Sequence, residues 1–148
     1  MFRLLLSNDS TPVRVEKNQG SKEIKDHLPE EDVDEFKAQL LTFMEEDKPY
    51  VDSKLTIEQF SRKLNVAPEL LVLFLEKHLN NNFGAFIDQY RVEFAKNLLA
   101  DTSKNHVPIT NIGFSAGFNS LKNFQKSFEK ATQMEPEEYR EASQKDTD

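Results

Sequence analysis

The sequence predicts an all-α fold in which a long linker helix joins two helix-turn-helix subdomains, each a homeodomain-like three-helix unit. Three observations support this fold class. Apolar residues recur at helical spacing through most of the chain after residue 30. A helix-turn-helix pattern in the first half returns about 52 residues later. An unbroken helical pattern from Phe83 to Ala100 separates the two copies.

The composition is typical of a soluble, largely helical protein, with 30% charged and 37% hydrophobic residues among 148. No apolar run approaches the roughly 18 residues of a membrane span, and "MFRLLL" is too short for a signal peptide. We therefore expect a cytoplasmic location and no membrane contact within this chain. Because the chain has no cysteine, disulfides and thiolate metal sites are excluded.

The net charge of −7 argues against a nucleic-acid partner when it is taken over the whole chain. Its distribution weakens that argument, since residues 1–48 carry −5 and residues 49–141 carry only −1. Most of the acidity therefore lies outside the part with the repeated pattern.

Residues 1–30 are predicted to be an N-terminal arm or linker, in which "FRLLLSNDSTPVRVEK" is compatible with two short strands. The next segment, residues 31–48, is predicted to hold a leading helix, which begins near Glu30. Its apolar side chains follow helical spacing: Val33, Phe36, Leu40, Leu41, Phe43 and Met44. It ends before "DKPYVD", because Pro49 biases Lys48 away from the helical conformation.

Residues 49–100 are predicted to form the first helix-turn-helix subdomain plus the linker helix. Thr56 and Gln59 fit a capping box at the start of a short helix, and Pro68 suits the first turn of the next helix. The linker helix would span roughly 27 Å at about 1.5 Å per residue. That length is suited to holding the two helix-turn-helix units apart.

Residues 101–142 are predicted to form the second helix-turn-helix subdomain, and residues 143–148 a tail. The repeat pairs Phe60 with Ile112 and Asn65 with Gly117. Asparagine and glycine both suit the left-handed conformation that ends a helix sharply. The whole chain is expected to hold seven helices, of which the last covers Pro136 to Ala142.

Residues 55–140 resemble the DNA-binding domain of the AraC/XylS family of bacterial transcription regulators. The most specific residues lie in the second subdomain: Ile109, Ile112, Gly117, Phe118, Phe124, Phe128, Pro136, Tyr139 and Arg140. "YRVEFAKNLL" resembles the family's linker helix, and "NNNFGAFIDQYRV" resembles a Bacteroidetes-type branch. Gln133 stands where the family usually has glycine, and Gly113 where it has alanine. The resemblance implies a partner, double-stranded DNA, whose successive major grooves receive the two reading helices.

The resemblance assigns base reading to the second reading helix, at Leu121, Lys122, Gln125 and Lys126. Lysine can donate to guanine, glutamine can pair with adenine, and an apolar side chain can touch a thymine methyl group. Candidate contacts to the DNA backbone are polar or basic: Ser120, Asn123, Lys130, Lys104, Arg62 and Lys63.

The first reading helix, in "NVAPELLVLFLEKHLN", is apolar all round between Leu70 and Leu75. Four of its residues are predicted to serve either as a first recognition surface or as a partner surface, and all four are acidic or apolar: Glu69, Leu70, Val72 and Leu73. Three alternatives could bury this surface: residues near "MFRLLL", a second copy in a homodimer, or an upstream sensor domain. The fourth alternative is that these side chains stay exposed beside a groove.

Nothing in the sequence indicates an enzyme, a cofactor, a catalytic group or a metal site. The histidines His27, His78 and His106 are scattered, and no phosphate-binding loop or nucleophile motif is present. The leading hypothesis is a sequence-specific transcription regulator that reads bases mainly through its second helix-turn-helix. The alternative is a protein-interaction adaptor, in which the apolar first recognition helix binds a partner and DNA binding is weak or lost.

Overall fold

The computed structural model describes residues 30–145, and this part of the chain contains seven α-helices, two short 3₁₀ helices and no strand. The helices are α1 (Glu30–Glu46), α2 (Ile57–Lys63), α3 (Pro68–Leu79), α4 (Phe83–Ala100), α5 (Ile109–Ser115), α6 (Leu121–Thr132) and α7 (Pro136–Lys145). The 3₁₀ helices are Pro49–Val51 and Thr102–Lys104. The predicted all-α fold is confirmed, and α7 ends three residues later than expected. The strands suggested near the N-terminus lie outside the described residues.

The chain divides into two compact units, each assembled from separate segments. Among the described residues, the first unit comprises residues 30–47 and 56–82, with α1, α2 and α3. The second comprises residues 48–55 and 83–145, with α4 to α7. The linker helix α4 thus belongs to the second unit. The subdomain boundaries drawn from the sequence, at 49–100 and 101–142, stay a prediction.

The first unit is held together by aromatic contacts between α1 and the helix-turn-helix pair α2 and α3. The rings of Phe36 and Phe74 meet edge to face at 4.8 Å, and those of Phe43 and Phe60 at 5.2 Å. Leu40 of α1 is completely buried. The leading helix therefore supplies part of the apolar cover that α3 needs.

The turn between α2 and α3 forms as the sequence predicts. Thr56 Oγ1 accepts from the Gln59 amide at 3.2 Å, and Gln59 Oε1 accepts from the Thr56 amide at 2.9 Å. This reciprocal pair is the predicted capping box. Asn65 is left-handed with φ 61°, and Pro68 lies in the first turn of α3. Both features set where α3 begins.

The core of the second unit packs α4 against the helix-turn-helix pair α5 and α6. Its buried residues are Val92, Ala95, Leu99, Ile112, Ala116, Phe118, Phe124 and Phe128. Tyr139 of α7 extends this core, with its ring 5.4 Å from that of Phe128. Arg140 donates to the carbonyls of Asn105 and Val107 at 3.1 and 2.7 Å. Helix α7 therefore fixes the segment that leads into α5.

The turn between α5 and α6 requires glycine at position 117. Gly117 has φ +108°, a conformation that L side chains rarely adopt. A Cβ atom there would also overlap the carbonyl oxygen of Tyr50 and lie 2.8 Å from Arg91 Nε. The predicted left-handed pair, Asn65 and Gly117, is therefore confirmed at both copies of the repeat.

Candidate nucleic-acid interface

Helix α6 begins at a serine cap and turns its aromatic residues inward. Ser120 Oγ accepts from the Asn123 amide at 3.1 Å, which satisfies one of the free N–H groups of the first turn. Phe124 and Phe128 are completely buried, one helical turn apart. The opposite side of α6 is consequently turned to solvent.

The four predicted base-reading residues lie together on α6, in its first two turns. Lys122 and Lys126 are exposed, Leu121 keeps 36% of its surface exposed, and Gln125 is half-buried on the flank. Lys130 continues the exposed lysine series at intervals of four residues. With Glu129 as the acidic residue among Leu121–Thr132, α6 carries a net charge of +2.

The predicted contacts to the DNA backbone are distributed over three places. Ser120, Asn123 and Lys130 lie on or next to α6, and Asn123 Nδ2 donates to Asn119 Oδ1 at 2.9 Å. Lys104 lies in the 3₁₀ helix Thr102–Lys104, with its Nζ 3.5 Å from Asp101 Oδ2. Arg62 and Lys63 are exposed at the end of α2, in the first unit.

The surface of α3 differs in part from the sequence prediction. Glu69 and Glu76 are exposed, Val72 is 39% exposed, and Leu73 is half-buried. Leu70 is only 7% exposed, so the prediction that it belongs to an exposed partner surface is wrong. The reason is helical geometry: Leu70 lies one turn before Phe74, on the side of α3 that meets Phe36.

A polar network at α4 supports the inner side of the second unit. Arg91 donates from Nε to the Tyr50 carbonyl at 2.7 Å and from Nη2 to the Asp52 carbonyl at 3.0 Å. Burial lowers the pKa of Arg91, and the Asp88 and Asp52 carboxylates oppose that shift. The guanidinium stays charged at neutral pH. Ser127 of α6 donates to Asp88 Oδ2 at 3.2 Å.

Sequence reasoning missed this network and one exposed aromatic residue. The bonds of Arg91 to the Tyr50 carbonyl and of Ser127 to Asp88 carry no spacing signal, since they cross 41 and 39 residues. Phe114 is 50% exposed on α5. Its exposure has a readable signal, because helical spacing places Ile112, Gly113 and Ala116 on the buried side of α5.

Residues 30–145 contain no group of three or more histidine, aspartate or glutamate side chains able to hold a metal ion. None of the helices in the described range is both long and apolar enough to cross a bilayer.

Two helix-turn-helix pairs, one presenting an exposed lysine series, define a protein of the helix-turn-helix class. The family model described as a helix-turn-helix domain matches residues 60–142, more than half of the chain. The chain belongs to this AraC-type helix-turn-helix family. The family is one of DNA-binding transcription regulators, which confirms the predicted resemblance and the prediction that the chain is not an enzyme.

Curated relatives agree with this membership. The chain is 28% identical over 109 residues to the melibiose operon regulatory protein of Escherichia coli, covering 74% of this chain and 34% of that protein. It is 28% identical over 90 residues to the HTH-type transcriptional regulator YtdP of Bacillus subtilis, covering 61% of this chain and 11% of that protein. The chain thus spans about a third or less of these relatives' length.

Solved structures share the fold. The C-terminal domain of the response regulator YesN from Fusobacterium nucleatum superposes with a TM-score of 0.60 at 27% identity, covering 70% of this chain and 96% of that one. The C-terminal domain of AraT, a response regulator from Geobacillus stearothermophilus, gives 0.59 at 26% identity, covering 74% and 84%.

Proposed function

We propose that this chain binds double-stranded DNA in a sequence-specific manner and regulates transcription, with base reading mainly by α6. The observation that carries the proposal is the exposed side of α6, where Lys122 and Lys126 stand opposite the buried Phe124 and Phe128. This arrangement fits a recognition helix that enters the major groove with one side and packs with the other. Binding to the chromosome would place the chain in the cytoplasm.

Each of the four candidate base-reading side chains has a matching feature on a base edge. The Lys122 and Lys126 ammonium groups donate to guanine O6 and N7, and the Gln125 amide pairs with adenine N6 and N7. Leu121 offers an apolar contact for a thymine methyl group. Each good base contact is worth about 1–3 kcal/mol of discrimination against the wrong base.

Contacts to phosphate would set the register of α6 without reading sequence. Lys130, Lys104, Ser120 and Asn123 of the second unit, and Arg62 and Lys63 of the first, are the candidates. The four cationic candidates predict that log K falls against log salt with a slope near −4.

Fluorescence anisotropy with a mixed-sequence duplex at several salt concentrations tests the proposal. The variant Lys122→Ala/Lys126→Ala should lose affinity, while the control Lys54→Ala/Lys145→Ala, which removes two exposed lysines elsewhere, should not. Selection from a randomised duplex pool should then yield a consensus for the wild type. Absence of binding at low salt, or equal losses in both double variants, would overturn base reading by α6.

A second candidate function rests on the acidic and apolar surface of α3. Glu69 and Glu76 flank the exposed Val72 and the half-buried Leu73, and none of these four side chains could donate to a phosphate. We infer that α3 serves a protein partner, either a second copy of the chain or an upstream sensor domain. In the adaptor alternative this contact replaces DNA binding.

The substitution Leu73→Arg separates a DNA contact from a protein contact at α3. If α3 lies at DNA, the added charge should raise DNA affinity in the anisotropy assay. If α3 lies at a second copy, the same change should shift sedimentation profiles towards monomer. A variant that changes neither property would remove α3 from both roles.

A further inference from the structure

A serine on the inner flank of α6 is bonded to a carboxylate of α4. Ser127 Oγ donates to Asp88 Oδ2 at 3.2 Å, in a part-buried position. Ser127 lies about 140° around the helix from Lys122, next to the buried Phe128. The aromatic contacts of Phe124 and Phe128 hold α6 against the core, but apolar contacts are non-directional. The bond from Ser127 is directional.

The acceptor of this bond is itself fixed in place. Arg91 Nη1 lies 3.4 Å from Asp88 Oδ1, three residues apart on α4. Arg91 is in turn anchored by its bonds to the carbonyls of Tyr50 and Asp52. Asp88 therefore presents Oδ2 to Ser127 from a carboxylate whose other oxygen is already engaged.

A small rotation of α6 about its own axis would move the tips of the lysines that face DNA. Side chains reach about 5–6 Å from a helix axis, so a turn of roughly 10° moves a tip by about 1 Å. Functional groups need placement within about 0.5 Å of their working geometry. Base reading therefore requires that the rotation of α6 about its own axis be fixed.

We propose that Asp88 is a positioning residue, which sets the rotation of α6 through its bond to Ser127 and thereby aims Lys122 and Lys126. The orientation of α6 depends on the geometry of the second unit alone. Its consequence for base reading rests on the proposed function.

The first test needs no DNA. Residual dipolar couplings of the backbone amides in the full chain report the orientation of α6 and α4. In Ser127→Ala the couplings of α6 should shift or shrink by averaging, while those of α4 stay unchanged. Ser127→Thr, which keeps the hydroxyl, should restore them, and the exposed-serine control Ser53→Ala should match the wild type. Wild-type couplings in Ser127→Ala would overturn the proposal, whether or not the chain binds DNA.

The second test measures discrimination between a duplex selected from a randomised pool with the wild type and a mixed-sequence duplex. Ser127→Ala should lower the affinity ratio about fivefold while leaving the salt slope unchanged, because the number of phosphate contacts stays the same. If Ser127 had only a structural role, Ser127→Ala would lower the melting temperature of the protein without changing this affinity ratio. If the wild type selects no consensus, the proposed function fails. If it does and Ser127→Ala keeps the full ratio, the positioning role fails.

Discussion

Arg91 Nε donates a 2.7 Å hydrogen bond to the carbonyl oxygen of Tyr50, forty-one residues earlier in the chain. The same guanidinium lies 5.8 Å from the centre of the Phe118 ring, in the turn that leads to α6. Gly117 leaves room for this approach, because a Cβ atom at position 117 would lie 2.8 Å from Arg91 Nε. One side chain thus connects residues 48–55, α4 and the turn before α6.

Removing this side chain should destabilise the protein. In Arg91→Met the apolar stem is kept, but the two carbonyls lose a charged donor, and the free energy of unfolding should fall by about 2–3 kcal/mol. Arg91→Lys should recover only part of the loss, because one ammonium cannot reproduce the guanidinium fork. Chemical denaturation measures both. The control Arg62→Met changes an exposed arginine, and an equal loss there would refute the anchoring role.

Gly113→Ala should also destabilise the protein, although alanine is the better helix former. A Cβ at position 113 would lie 2.5 Å from Phe124 Cδ2. Because Phe124 is completely buried, its ring has little room to move. Overpacking of this kind costs about 1–3 kcal/mol, against a gain in helix propensity of about 1 kcal/mol. Thermal unfolding of Gly113→Ala measures the balance, and a raised melting temperature would contradict it.

Gln133→Gly should stabilise the protein. Gln133 has φ 65°, and its amide donates to the Glu129 carbonyl at 2.8 Å, a bond that glycine keeps. Relief of left-handed strain should outweigh the lost side-chain bond to the Lys130 carbonyl and raise the free energy of unfolding by about 0.5–1 kcal/mol. Asn65→Gly is the matched control, since asparagine tolerates this conformation better. Gains of equal size would argue against strain at Gln133.

The carboxyl of Asp101 should titrate below its ordinary pKa of 3.8. The Ser103 hydroxyl and amide donate to Asp101 Oδ1 at 2.7 and 3.0 Å and, together with Lys104, lower the pKa of Asp101. A lowered pKa in the folded state stabilises the fold above pH 3.8, and that contribution disappears as the pH falls through the folded value. Carbon-13 NMR titration should show Ser103→Ala raising the pKa towards 3.8. Thr102→Ala is the control and should leave it unchanged.

Local patterns in the sequence were enough to predict most of the fold. The periodic apolar residues of α4 predicted both of its ends, and the Thr56–Gln59 capping box predicted the start of α2. These signals can be read from the sequence because each depends on residues within one helical turn.

What escaped prediction depends on partners distant in sequence. Helical spacing places Leu70 on the same side of α3 as Phe74, but α3 is apolar all round from Leu70 to Leu75, so its sequence does not show that α1 covers this side. The bond between Ser127 and Asp88 crosses 39 residues and leaves no period in the sequence. The four residues predicted to read bases do lie together on α6. The bases that they would contact are determined by the sequence of the bound duplex.

The discontinuity of the second unit bears on how such proteins can be recombined in evolution. A gene segment that began at Phe83 would encode α4 to α7 without residues 48–55. The Arg91 guanidinium would then face solvent instead of the Tyr50 and Asp52 carbonyls. The space beside Gly117 that the Tyr50 carbonyl occupies would be empty. Exchange of the second helix-turn-helix between genes would therefore need residues 30–145 as one cassette, because α2 and α3 lie between its two segments and α1 packs against them.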